Sequence, residues 1–505
     1  MKTFLAAIAF MLSLSSVASA AADDLLFNPS RGVEKTLTYN GRTIDFIAYE
    51  NIPYVSDFAS EIQKLSIYIP AEYLHGGMIN GYAAKTAPIF LPNGVGGYMS
   101  GRILEPVEND KMTGGANASL VALSRGLVVI SPAIRGRNTT MNGVHVGKAP
   151  ALIVDYKAAV RWIRHNRNRL PAGNTEKIIS NGTSAGGALS ALLGATGNAP
   201  EYMPYLEQLG AANERDDIFA ASVYCPITNL NHADAAYEWI FYGETKYFQA
   251  MWQLEDLKAR GKIQGALPAN KPLNSDSANN PEALKTSVDM TAEEIRVSKI
   301  LRDAFPDYVN SLKLRDEHGN ILTLDRNGNG SFKNFIKQKY IESAQKAIDS
   351  GKDLSNVDWL TIKNGRVVDA DLKKYPAAVT RMKAAPAFDK LDLSSAENDE
   401  FADFRNNPKH FSTTLFNDNL AESEIIHMMN PMDFIGRENT TTAEFFRIRH
   451  GAADRDTSLA IPAMLALKLQ NNGANVDFFS PWGQGHGGDY DLNELFDWID
   501  SICKS

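Results

Sequence analysis

Residues 177–193, Lys-Ile-Ile-Ser-Asn-Gly-Thr-Ser-Ala-Gly-Gly-Ala-Leu-Ser-Ala-Leu-Leu, constrain the fold more than any other stretch of the chain. A short apolar run leads into Gly182-Thr183-Ser184-Ala185-Gly186, and an Ala/Leu-rich segment without a breaker follows. This order predicts a strand, a sharp turn and a helix. A serine at the tip of such a turn is held above a sheet edge, and glycines two residues to either side remove side chains that would collide there. Ser184 is therefore the candidate nucleophile. The pentapeptide alone is equally compatible with an ordinary glycine turn, so its weight comes from the strand before it, the helix after it and the partners downstream.

Taken from its start, the chain opens with Lys2, an apolar run from Phe4 to Leu14 and Ala18-Ser19-Ala20, the pattern of a secretory leader with a small-residue cleavage site. Residues 1–20 are expected to be removed, and the product to be secreted or periplasmic. The run is too short for a membrane span, so no membrane partner is expected. A chain of 505 residues exceeds one compact core, and two units, or one unit with a large insertion, are expected. The net charge of −8 argues against a nucleic-acid partner. Cys225 and Cys503 are the two cysteines; nothing in the sequence says whether they pair, and neither stands beside a catalytic motif.

Three runs before the elbow read as strands of a mixed sheet: Leu65 to Pro70, Ala87 to Pro92 and Gly126 to Ser131. Asp155 to Ile163 has helical apolar spacing. A βαβ series that leads into an elbow means an α/β core. The second run ends in Asn93-Gly94-Val95-Gly96-Gly97-Tyr98, a glycine cluster directly after a strand. Such a loop lies beside the nucleophile, where the N–H of Gly96 or Gly97 joins that of Ala185 to bind a developing oxyanion.

After a strand from Phe219 to Pro226 the texture changes. Charged helical segments with proline and asparagine breaks run to about Leu420. A hairpin-like piece from Leu322 to Phe332 contains Asp325-Arg326-Asn327-Gly328-Asn329-Gly330, which mimics the start of a calcium loop. Its twelfth position is Ile336 rather than a bidentate Glu, so a turn is expected and no metal. The core resumes with a strand ending in His450-Gly451-Ala452-Ala453-Asp454, a helix from Leu459, a strand from Asn475 to Phe479, and Gly485-His486-Gly487 ahead of a final helix from Leu492. Asp454 and His486 each follow a strand and so reach the edge that carries Ser184. Ser, Asp, His is the order of α/β-hydrolase triads, with the aspartate orienting the imidazole that takes the serine proton. Ser184 and Asp454 are about 270 residues apart, whereas the bare fold needs roughly 90 to 100. The expected organisation is an α/β-hydrolase core in two parts, 21–227 and 421–505, with an inserted lid at 228–420.

The elbow, the Pro92 to Tyr98 loop, the large insertion and Gly451-Ala452-Ala453-Asp454-Arg455-Asp456 together resemble the bacterial tannases, tannin acyl hydrolases of the α/β-hydrolase fold, over most of the chain. The fungal kind carries cysteines adjacent to the triad residues that are joined, a pair this chain lacks. The resemblance implies that Lys383, Glu397 and Asp456 hold the hydroxyls of a galloyl ring. Their chemistry suits that role, since carboxylates accept charge-assisted hydrogen bonds from phenols and an ammonium donates to a phenol oxygen. The expected activity is a serine esterase that cleaves galloyl esters of small molecules or polyphenols through an acyl-enzyme, with no cofactor. The alternatives are a feruloyl or other aromatic esterase, and an inactive hydrolase fold that serves as a binding protein.

Overall fold

The structure, a computed structural model, describes residues 25–110, 114–248 and 287–504. The expected leader at residues 1–20 lies outside them. Nine strands form one sheet: β1 (Val33–Tyr39), β2 (Arg42–Pro53), β3 (Lys64–Pro70), β4 (Pro88–Pro92), β5 (Val128–Pro132), β6 (Asn174–Thr183), β7 (Ala220–Tyr224), β8 (Phe445–Arg449) and β9 (Asn475–Phe479), in the spatial order β1-β2-β3-β5-β4-β6-β7-β8-β9. From β5 to β9 every neighbouring pair is parallel, while β1, β2 and β3 form an antiparallel meander at one edge.

β4, β5 and β7 are buried along their whole length. Their continuous apolar runs follow from burial of both faces of a parallel sheet. The meander is half exposed, and its charged positions face water. The sequence reading found only β3 of these three strands.

Helix α1 (Ala151–His165) precedes the elbow strand and α2 (Ala185–Ala195) follows it. The helical apolar spacing at Asp155 to Ile163 falls within α1, which is buried on nearly every face. Its charges are neutralised internally, with Lys157 and Arg161 sharing Asp216 and Asp155 paired with Arg135. A buried charge persists only when paired and hydrogen-bonded in this way.

Between β7 and β8 lie α3 (Leu230–Phe241), α4 (Ala292–Leu312), α5 (Ser331–Asp349), an antiparallel pairing of 246–248 with 287–289 and a short hairpin of 360–363 with 366–370. α3 packs on α4, and a fully buried Arg381–Glu238 pair ties 381 to α3. Residues 322–332 do not form the expected hairpin. Asp325 closes a turn by accepting from the N–H groups of Asn327 (2.8 Å) and Asn329 (2.9 Å), and α5 starts directly after it. α6 (Ala460–Asn471) packs on β9, and α7 (Leu492–Cys503) packs over β4, where Phe496 meets Phe90 with ring centroids 5.4 Å apart.

Candidate active site

The turn from β6 into α2 places Ser184 at φ 60°, ψ −123°, a region sparsely populated by side-chain-bearing residues. The flanking glycines are dictated by contact. A Cβ at Gly182 would lie 2.2 Å from the Gly186 carbonyl oxygen, one at Gly186 2.6 Å from the Val95 carbonyl oxygen, and one at Gly187 2.3 Å from that of Tyr224. The Ser184 N–H donates to the Tyr224 carbonyl (3.0 Å), which fixes the turn to the end of β7.

His486 stands over this serine, with Nε2 2.7 Å from Ser184 Oγ and Nδ1 2.9 Å from Asp454 Oδ2. With Nδ1–H donating to Asp454, Nε2 is left to accept from the hydroxyl. Asp454 Oδ1 accepts the N–H groups of Asp456 (2.9 Å) and Thr457 (3.1 Å). Burial would raise the Asp454 pKa, but the neighbouring imidazoles and these hydrogen bonds hold it at about 2. Burial lowers that of His486, yet Asp454 leads the opposing charges and the pKa ends well above the ordinary imidazole value. The pair is built to stabilise an imidazolium.

The glycine loop after β4 is held by Asn93, whose side-chain amide donates to the carbonyls of Asn181 and Gly186 (both 3.1 Å) and to Ser190 Oγ (3.0 Å). The N–H groups of Gly96 and Gly97 have no acceptor among the described residues. Ala185 is the first residue of α2, so its N–H has no intrahelical acceptor. Gly97 and Tyr98 take positive φ values of 53° and 58°, and Arg137 clamps them, its Nε donating to Gly97 O (2.8 Å) and its N–H to Tyr98 O (2.9 Å). Arg137 also pairs with Asp399 (2.8 Å), which Lys148 holds from the other side (2.8 Å). Sequence reasoning missed Arg137, because nothing in its local pattern separates it from other loop arginines.

Asp456 and Lys383 meet beside the imidazole, and both lie within electrostatic reach of Glu397. Lys383 Nζ is 2.9 Å from Asp456 Oδ1, and that same oxygen is 3.7 Å from His486 Nε2. Asp456 Oδ2 is buried without a hydrogen-bond partner. Lys383 also lies 4.1 Å from the centre of the Phe388 ring. Glu397 is 7% exposed; burial raises its pKa, Lys383 opposes this and Asp456 adds to it. The loop that carries Asp454 and Asp456 is gripped from the 228–420 segment, where Tyr375 Oη donates to Ala452 O (3.0 Å) and Tyr237 Oη to Arg455 O (2.9 Å).

One expectation is corrected. Cys225 does stand beside the catalytic motif, since β7 neighbours the elbow strand and delivers its next residue to the same edge. Its Sγ, a ring nitrogen of His486 and a carboxylate oxygen of Asp454 lie within 4.8 Å of one another. Burial raises its thiol pKa. Cys225 and Cys503 are both buried and unpaired. His450 was also missed as a neighbour of the site. It is fully buried, its Nδ1 is 3.6 Å from Asp454 Oδ2, and burial lowers its pKa to about 4, so it is a neutral wall behind the aspartate.

The family profile described as BD-FAE matches residues 107–251. No curated protein matches the chain. Among solved structures, the tannin acyl hydrolase of Lactobacillus plantarum is 42% identical with a TM-score of 0.85, the alignment covering 95% of this chain and 99% of that one, and the same figures hold for its complex with ethyl gallate. The tannase of Fusobacterium nucleatum is 46% identical over 95% of this chain and 99% of that one, also with a TM-score of 0.85. Identity at this level over nearly the whole of both chains, on an α/β fold with a mostly parallel sheet, identifies the protein as a member of the bacterial tannases, which are carboxylic ester hydrolases.

Proposed function

We propose that the protein hydrolyses galloyl esters by a covalent acyl-enzyme. Ser184 Oγ attacks the ester carbonyl while its proton passes to His486 Nε2, and Asp454 stabilises the imidazolium that forms. The carbonyl oxygen, now an oxyanion, takes hydrogen bonds from Ala185 and from Gly96 or Gly97. The alcohol leaves with the proton from His486. Water then repeats the sequence on the galloyl-serine ester and releases gallic acid. The 228–420 segment acts as a lid that carries Lys383 and Glu397 over the ring, and residues 1–20 direct export.

The observation that carries the substrate class is Asp456. One of its oxygens, 3.7 Å from His486 Nε2, is engaged by Lys383, and the other is buried with no donor. A buried acceptor without a partner costs about 1–3 kcal/mol, and a phenolic O–H supplies the missing donor. The ethyl gallate complex of the Lactobacillus plantarum relative supports the same reading.

The test compares kcat/KM for methyl gallate, methyl ferulate and methyl benzoate, with Ser184→Ala as control. A site built to bond hydroxyls rejects analogues that lack them by on the order of 10⁴. Methyl ferulate turned over as well as methyl gallate would replace this reading with a feruloyl or general aromatic esterase. Absence of turnover on every ester would point to a binding protein.

A further inference from the structure

The mechanism leaves one reactive group beside the triad unused. Cys225 emerges from the end of β7, its N–H donating to the Arg449 carbonyl and its Sγ directed at the Gly487 carbonyl (3.4 Å), one residue beyond His486. A thiol, an imidazole and a carboxylate thus present one ligand atom each within 4.8 Å of one another. Sulfur, imidazole nitrogen and carboxylate oxygen are the donor set that borderline and soft divalent ions prefer, and three protein ligands with a water as the fourth form an ordinary zinc site. Ligand atoms around a tetrahedral zinc are about 3.5 Å apart, so closure needs movements of at most about 1 Å.

We propose that Cys225, His486 and Asp454 form an inhibitory binding site for a thiophilic divalent cation such as Zn²⁺ or Cd²⁺. Binding releases the Cys225 thiol proton to solvent and places the ion on one ring nitrogen of His486 and one carboxylate oxygen of Asp454. A cation on Nδ1 forces the ring's remaining proton onto Nε2, and a cation on Nε2 takes that lone pair itself. In either case no base is left to accept the Ser184 proton. Cys225 is fully buried while the His486 side chain is 19% exposed, so the ion reaches the thiol past the imidazole. The loss of activity rests on His486 acting as the general base; the binding does not.

Two measurements separate these points. Titrating the full chain with Cd²⁺ reads the ultraviolet cadmium–thiolate charge-transfer band, expected at one equivalent, absent in Cys225→Ala and retained in Cys503→Ala. Zn²⁺ inhibition is read with p-nitrophenyl acetate, because pyrogallol rings chelate metals themselves. It is expected to reverse with EDTA, and the half-inhibiting concentration to rise at least tenfold in Cys225→Ala and in Cys225→Ser, each measured against its own uninhibited rate. The serine variant keeps the side-chain size should the alanine variant fold poorly. A band that survives without Cys225, or inhibition unchanged in both variants, overturns the site. Binding at Cys225 without inhibition overturns the proposal that the ion sits on His486.

Discussion

Asp456→Asn removes one charge and almost no volume, and it separates two roles the geometry leaves open to this residue. Asp456 faces the buried Lys383 at 2.9 Å and also lies 3.7 Å from His486 Nε2. If its free oxygen accepts a ring hydroxyl, the amide loses one charge-assisted hydrogen bond, about 1.5–3 kcal/mol, or roughly 10- to 150-fold in kcat/KM on methyl gallate. Methyl benzoate brings no hydroxyl to that oxygen, so its kcat/KM should change by less than about threefold. The second role gives a different signature: Asp456 helps raise the His486 pKa, so its neutralisation should move the acid limb of the rate profile to lower pH for every ester. Parallel measurement of kcat/KM for both esters from acid to neutral pH reads the two effects together. Equal fold losses on gallate and benzoate would refute the ring-binding role and leave Asp456 as part of the proton-transfer machinery.

The activity itself should fall on the acid side with a midpoint above the ordinary imidazole value of about 6.5, because the neutral ring is the base and Asp454 holds its pKa up; a rate still at its plateau at pH 5 would count against this. Asp454→Asn should cost on the order of 10³–10⁴ in kcat on every ester, since the amide favours the wrong imidazole tautomer, and a loss confined to gallate esters would contradict that. Ser184→Gly should be inactive yet more stable than Ser184→Ala by about 1 kcal/mol, because only glycine meets φ 60° without strain; equal melting temperatures for the two variants would show that the elbow stores no strain. Arg137→Ala should lower kcat roughly tenfold to a hundredfold with little change in KM, alike on gallate and benzoate esters, because it frees the Gly97 peptide; a change in KM alone would place Arg137 in ring binding instead.

What could be read in the chain beforehand was what local pattern encodes. The elbow was legible because strand, glycine-flanked serine and helix are contiguous, and the close approaches at Gly182, Gly186 and Gly187 explain why those positions hold no side chain. β4, β5 and β7 were legible as apolar runs because both their faces are covered. β1 and β2 were not, because Glu34, Arg42 and Asp45 sit on exposed positions and break the apolar signal at the half-solvated edge. Cys225 and Arg137 were missed for a different reason. Their importance arises from which strands are neighbours and which loops meet, and no spacing in a single sequence records that β7 lies next to β6 or that Arg137 reaches Gly97.

That pairing of distant parts bears on how selectivity and rate are joined. The short helix Ala396–Glu400 carries Glu397 at its start and, two residues on, Asp399, which Arg137 and Lys148 hold in a buried cluster. Arg137 in turn holds Gly97 of the glycine loop after β4. One short helix from the 228–420 segment therefore carries Glu397 and braces the glycine loop after β4, over sequence separations of more than 250 residues. Buried ion pairs give little net stability, because desolvation consumes most of the attraction, but breaking one leaves a charge stranded and costs several kcal/mol. Separating Arg137 or Lys148 from Asp399 would therefore strand a buried charge. On the proposed reading, a galloyl ring that pressed on Glu397 and Lys383 would be received by a wall continuous with the glycine loop, so binding energy from the ring hydroxyls would be realised as alignment of the ester carbonyl over Ser184, raising kcat rather than only lowering KM.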